Sequence, residues 1–186
     1  MTASIRLLRA GCMALGLMLL SACTGIDPAR YAAEQPALDM RQFFNGTLDG
    51  YGMVRNRAGE VTRRFVVVIE ASWAGEVLTL DEDFVWSDGE TEKRIWTIQR
   101  RPDGSWSGKA AGVVGEATGT LSGNTFNFRY TFDLPVGDTR YEVRFDDWLY
   151  LIDERNMLNH ARISKFGVDV ADLFISFSKR TARTVD

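Results

Sequence analysis

Phe126-Asn127-Phe128-Arg129-Tyr130-Thr131-Phe132-Asp133-Leu134 alternates bulky apolar and polar side chains without a break. Successive side chains of a strand point to opposite sides, so this stretch has one dry face and one wet face. Phe126, Phe128, Tyr130, Phe132 and Leu134 form the dry face, and Asn127, Arg129, Thr131 and Asp133 the wet one. The pattern recurs at Tyr141, Val143, Phe145, Leu149 and Leu151, and at Leu78, Leu80, Phe84 and Trp86. Between such segments fall turn signals at Asn56–Gly59, Ala74-Gly75, Asp88-Gly89, Pro102–Gly104, Ser122–Asn124, Pro135–Asp138 and Asp153–Asn156. Long alternating strands at this spacing predict an all-β, antiparallel up-and-down meander. Rings spread over many strands suit a sheet closed into a barrel, which leaves no free edge. About eight strands are expected, enough for an interior filled by side chains or holding one small ligand.

Upstream of the strands the chain changes character. Arg6 and Arg9 precede an apolar run, Gly11 to Leu20, too short to span a bilayer as a mature helix. Together they have the layout of a secretory signal over 1–22. Leu20-Ser21-Ala22-Cys23 resembles the lipobox of bacterial lipoproteins, in which the chain is cut before the cysteine and the cysteine is acylated. Cys23 is therefore the expected lipidation site, its acyl chains the expected membrane contact. Thr24 in place of Asp favours the outer membrane, the domain facing the periplasm. Cys12 would leave with the leader, so no disulfide supports the fold. Residues 23–40, with Pro28 and Pro36, read as a tether in which a short helix over Pro28 to Glu34 is allowed. A single barrel domain is expected over 41–180 and a disordered tail over 181–186. Losing Arg6 and Arg9 would leave twenty basic against twenty-five acidic side chains, moving the formal charge from −3 to −5. That balance argues against nucleic acid or an anionic lipid surface as the main partner.

Polar residues inside the dry stripes mark the candidate site. Glu82 shares parity with Leu80 and Phe84 and so faces inward. If the chain reverses about Asp88, Glu82 lies opposite Arg94 and Leu80 opposite Trp96. A buried carboxylate needs a partner, which predicts a Glu82–Arg94 ion pair. Asp147 likewise interrupts Phe145 and Leu149. These charges either hold strand register or anchor the head group of a ligand in an apolar pocket. Glu82, Arg94, Trp96, Tyr130 and Asp147 are the candidate ligand-binding residues.

Catalytic readings find little support. His160 is the sole histidine, on an expected strand between Asn159 and Ala161, and reads as a surface or packing residue. Asp81-Glu82-Asp83 and Asp146-Asp147 alternate across a strand, so neither set converges on a metal. The glycines of Gly112–Gly115 and Gly115–Gly119 precede no helix that could present its N-terminus to a phosphate. They suit bent or closely packed strands. The serines of Asp103–Gly108 have no base. No catalytic residue, metal or cofactor is called for.

Several pieces nevertheless share a pattern. Phe44-x-Gly46, Gly59 with Arg64-Phe65, Asp88-Gly89 with Arg94-x-Trp96, and Gly115-x-Ala117-x-Gly119 are four of them. Gly123-Asn124, Asp146-Asp147-Trp148 and Lys165-Phe166-Gly167 complete the set. This signature resembles an uncharacterised bacterial lipoprotein family, domain of unknown function 3833, over nearly all of 41–180. The resemblance implies a membrane-tethered, lipocalin-like β domain and assigns no residue a role. Gly104-Ser105-Trp106 lies mid-domain, whereas true lipocalins carry Gly-x-Trp in the first strand, so kinship with them is architectural. Three functional readings stay open. The barrel binds a lipid or other apolar molecule, or it is an envelope enzyme or accessory factor acting on lipids through Asp146, Asp147 or Glu82. In the third it is a ligand-free protein-interaction module.

Overall fold

The computed structural model describes residues 25–181, so the leader, Cys23 and the tail from 182 lie outside the described residues. Ten antiparallel strands run in sequence order around a closed barrel. They are β1 (Gly46–Asn56), β2 (Val61–Ala74), β3 (Val77–Trp86), β4 (Thr91–Arg100) and β5 (Trp106–Lys109). β6 (Val113–Ser122), β7 (Thr125–Val136), β8 (Thr139–Leu151), β9 (Asn156–Lys165) and β10 (Val168–Lys179) complete the ring, and β1 pairs with β10. All seven expected turns are present.

The count exceeds the expected eight because two hairpins carry weak signals. β5 has only four residues, Trp106 to Lys109, too few to display an alternation. The turn at 166–167 is made by Phe166 at φ 50 and Gly167, with the Phe166 ring 94% exposed, an apolar residue where a polar one marks a turn. The glycines of β6 behave as bent and packed strand. Gly115, at φ 73, sits within a register shift between Val114 and Thr118. A Cβ on Gly119 would stand 2.5 Å from the Phe126 ring, so only glycine admits that ring.

The stretch read as a tether is mostly exposed but touches the barrel at particular residues. Asp27 caps a 3₁₀ turn, Pro28–Tyr31, shorter than the helix allowed over 28–34, and this turn packs on β6 and β7. The Tyr31 ring meets Trp148 at 5.8 Å and Tyr150 at 5.6 Å, and the Leu38 amide donates to the Gly123 carbonyl. Asp39 then caps one helical turn, α1 (Met40–Phe43). Leu38, Met40, Phe43 and Phe44 are buried against the end of the barrel that holds Leu48, Leu78 and Trp106. Trp73 donates its indole N–H to the Phe44 carbonyl at 2.7 Å, fixing the plug. Four apolar side chains gain more by burial, roughly 1.5–3 kcal/mol each, than a solvated tether would. They therefore close one mouth. The opposite mouth, ringed by the turns at 57–60, 87–90, 110–112, 137–138 and 166–167, carries no such plug among the described residues.

The inner face follows the alternation, with two departures. Asn127, assigned to the wet side, is buried because its outer face lies beside Trp148, under the docked N-terminal segment. Its amide donates to Asp146 Oδ1 at 2.7 Å and to the Asp147 carbonyl at 2.9 Å. Tyr141, assigned to the dry side, is exposed because β8 runs beyond the rings that fill the barrel near the unplugged mouth.

Candidate functional site

Alternation in β3, β4, β7 and β8 sends all five candidate residues into the lumen. Glu82 lies directly opposite Arg94 and Leu80 opposite Trp96, the register expected from a reversal about Asp88. Across the barrel, Tyr130 stacks on Phe145 at 4.9 Å and meets the Trp96 edge at 5.1 Å. Asp147 sits beside Tyr130, whose hydroxyl helps stabilise its carboxylate. Glu82, Trp96 and Asp147 are buried, and Arg94 and Tyr130 partly so.

The expected Glu82–Arg94 ion pair is replaced by another. The Arg94 guanidinium reaches along its own strand to Glu92 Oε1 at 2.5 Å, and no ion pair of Glu82 exists among the described residues. Two rings hold it there, Phe84 at 5.3 Å and Phe132 at 5.0 Å from the guanidinium carbon. Glu92 shares the inward parity of Arg94 but stands nearer the unplugged mouth, where water still solvates both charges. Glu82 is accommodated differently. Burial pushes its carboxyl up to about 8, against the lowering pull of Arg94 and with the help of Asp147, Glu92 and Asp81. At neutral pH it is mostly the neutral acid, which needs no counter-charge.

Asp147 is pushed up to about 6 by burial, opposed by hydrogen bonds from Asn159, whose Nδ2 donates to Oδ1 at 3.1 Å, and from Tyr130. At neutral pH it is mostly ionised. Burial beside this carboxylate drives the Tyr130 phenol well above its ordinary value, so Tyr130 remains a donor. The lumen thus holds a protonated acid, a carboxylate, a phenol and an Arg–Glu pair within a shell of rings.

The neighbouring acids point away, as alternation requires. Asp81 and Asp83 bind Lys93 on the outer wall at 2.6 and 3.2 Å, and Asp146 binds Arg129 there at 2.9 Å. His160 also lies outside, its Nε2 2.8 Å from Asp172 Oδ1 and its ring stacked on Phe174 at 4.7 Å. Inward polar residues that escaped the sequence reading include Glu92, Asn159 and Arg63, the last lying 4.1 Å over the Trp86 ring at the mouth. Glu92 shares inward parity with Arg94 and Trp96, and Asn159 with Met157 and Ala161, which was the available signal.

Below the cluster the lumen is filled. Phe128 stacks on Phe126 at 5.3 Å and meets Trp96 at 5.2 Å, and Trp106 stands on Phe126 at 6.1 Å. At the unplugged mouth, Trp86 stacks on Phe84 at 6.0 Å, and its indole N–H has no partner among the described residues. A cleft of about 660 Å³ opens elsewhere, on the outer wall over β1, β10 and β9.

The family described as "Protein of unknown function (DUF3833)" matches residues 17–179, nearly the whole chain. The chain belongs to this family. Among curated proteins none matches this DUF3833 chain. Solved structures resemble it to differing degrees. The S-type phycobiliprotein lyase CPES from Guillardia theta aligns at a TM-score of 0.59 and 8% identity, over 75% of this chain and 89% of that one. A redesigned β-barrel, mFAP0, solved bound to DFHBI, aligns at 0.40 and 11% identity, over 73% of this chain and 98% of its own. At such identities the likeness to the lyase is one of fold.

Proposed function

We propose that this DUF3833 protein is an outer-membrane lipoprotein, anchored through acyl chains on Cys23 and facing the periplasm. In this reading its barrel binds a small apolar molecule with an anionic head at the unplugged mouth. The observation that carries the binding reading is the placement of Arg94. It is a cation held between Phe84 and Phe132, 21% exposed at its side chain and paired only with the half-open Glu92. A carboxylate or phosphate entering the mouth can displace Glu92 from the guanidinium. The rings of Trp96, Phe128 and Tyr130 limit depth, so the ligand is a short one resting on Phe132 and Phe145 rather than a long chain threading the barrel. The protonated Glu82 behind Arg94 adds no repulsion toward an anion at neutral pH.

Titration with decanoic acid and with decanol, followed by the fluorescence of the tryptophans, tests this. The acid should bind and raise the melting temperature with concentration, by about 2.7 kcal/mol of stability at a hundred times Kd. Decanol should bind at least tenfold more weakly, and Arg94→Leu should erase the difference. Equal binding of acid and alcohol, or of neither, would overturn the assignment. The anchor is tested separately, by labelling cells with an alkyne fatty acid, where Cys23→Ser should lose the label.

A further inference from the structure

The outer wall of the barrel carries a second apolar surface that the lumen does not explain. Strand register lines up two rows of side chains across β2, β1, β10, β9 and β8. One row is Val66, Tyr51, Ser176, Leu158 and Tyr150. The other is Arg64, Met53, Phe174, His160 and Trp148. Tyr51 is 59% exposed, Leu158 49% and Val66 45%. Ser176 is the short residue between Tyr51 and Leu158, and the 660 Å³ cleft lies over it. Toward the unplugged mouth the next row is ionic, with Arg55–Asp172 at 3.0 Å and Arg129–Asp146 at 2.9 Å, so the apolar band has a defined border. Arg64 borders the cleft and makes no ion pair among the described residues.

What covers this band follows from where the chain leaves the barrel. Tyr31 packs edge-on against Tyr150, a residue lining the cleft. Cys23 is eight residues upstream of Tyr31, so it cannot lie farther than roughly 30 Å from the band, since an extended residue spans at most about 3.6 Å. Tyrosine rings favour the boundary between lipid head groups and hydrocarbon, and a free guanidinium suits a lipid phosphate. Other exposed apolar side chains, among them Val85, Ile95, Val114 and Ile152, are spread over the barrel, and the most open, Phe166, sits on the β9–β10 turn at the far end, away from the exit.

We infer that this band is a membrane-docking face. It lies against the phospholipid surface, with Tyr51, Leu158 and Tyr150 at the head-group boundary and Arg64 on a lipid phosphate. The inference rests on the Cys23 anchor proposed above and adds the orientation in which the anchored barrel sits.

The test uses the full-length chain purified from its own membrane and reconstituted in vesicles of phosphatidylethanolamine and phosphatidylglycerol. Leu158→Cys, Tyr51→Cys, the opposite-wall control Thr97→Cys and the tip control Phe166→Cys are reacted with a water-soluble maleimide. Rates are normalised to those of the urea-unfolded chains and corrected for the parent chain. Leu158→Cys and Tyr51→Cys should react at least tenfold more slowly than both controls, and adding Arg64→Glu should recover part of the rate. Equal rates while Cys23 still takes the fatty-acid label would overturn the docking face and leave the anchor standing. Protection at Phe166→Cys instead would overturn the orientation. Protection in native membranes that vanishes in vesicles would assign the face to a protein partner and overturn the lipid surface. Absence of the label from Cys23 would overturn the anchor and the docking face together.

Discussion

The lumen of this barrel and the apolar band on its outer wall both carry large rings, yet they hold them differently. Inside, Trp96, Phe128 and Tyr130 touch one another from facing strands and are screened from water. Outside, Tyr51, Leu158 and Phe174 come from the neighbouring strands β1, β9 and β10, and Tyr51 and Leu158 remain about half exposed. A closed sheet packs its inner side chains against each other, while its convex outer face has nothing to close upon. Rings inside are therefore stability. Rings outside are surface, and the proposed docking face is drawn from them.

The sharpest way to break the contrast is to truncate an apolar side chain on each wall, beginning with the inner one. Trp96→Ala should destabilise by ~3–5 kcal/mol, because the cavity left between Phe128 and Tyr130 cannot collapse in a closed barrel. Urea unfolding measures it, and a loss below about 1 kcal/mol would mean that the lumen is loosely packed.

The second effect is one of pH. Glu82 and Asp147 release their protons at about 8 and about 6 in the folded barrel, against about 4 in the unfolded chain. The folded state therefore binds more protons between these values. Stability should be greatest toward pH 4–5 and fall as pH rises to 8, by at most ~1.4 kcal/mol per pH unit for each group. Glu82→Gln, which mimics the neutral acid, should flatten the fall between pH 6 and 8 and make the variant the more stable form at pH 9. Parallel stability curves for the two proteins would show that Glu82 is ionised throughout.

The smallest effect belongs to the outer wall. Leu158→Ser should change stability by no more than about 0.5 kcal/mol, since Leu158 is half solvated and lies outside the core. A larger loss would mean that the band is braced from within and is not a free surface.

Much of this was legible in the sequence for a simple reason. A strand has a period of two, so parity alone assigns Glu82, Arg94, Trp96, Tyr130 and Asp147 to one side and Asp81, Asp83 and Asp146 to the other. The Asp88-Gly89 turn then sets Glu82 across from Arg94. Parity says which wall a residue faces and nothing of how far along the barrel its head group reaches, so it could not foresee that Arg94 would bend to Glu92. Nor does local pattern reveal what covers a face. Asn127 reads as solvated, and only the docked N-terminal segment on the neighbouring outer wall explains its burial.

Alternation and turn residues determined the all-β meander and the set of inward polar residues, because each depends on neighbours close along the chain. The tertiary structure alone decided the strand count, the plug made by Leu38, Met40, Phe43 and Phe44, and the protonated state of Glu82. It alone brought Tyr51, Ser176, Leu158 and Tyr150 into one row, residues up to 125 positions apart that only the closure of β1 on β10 makes neighbours.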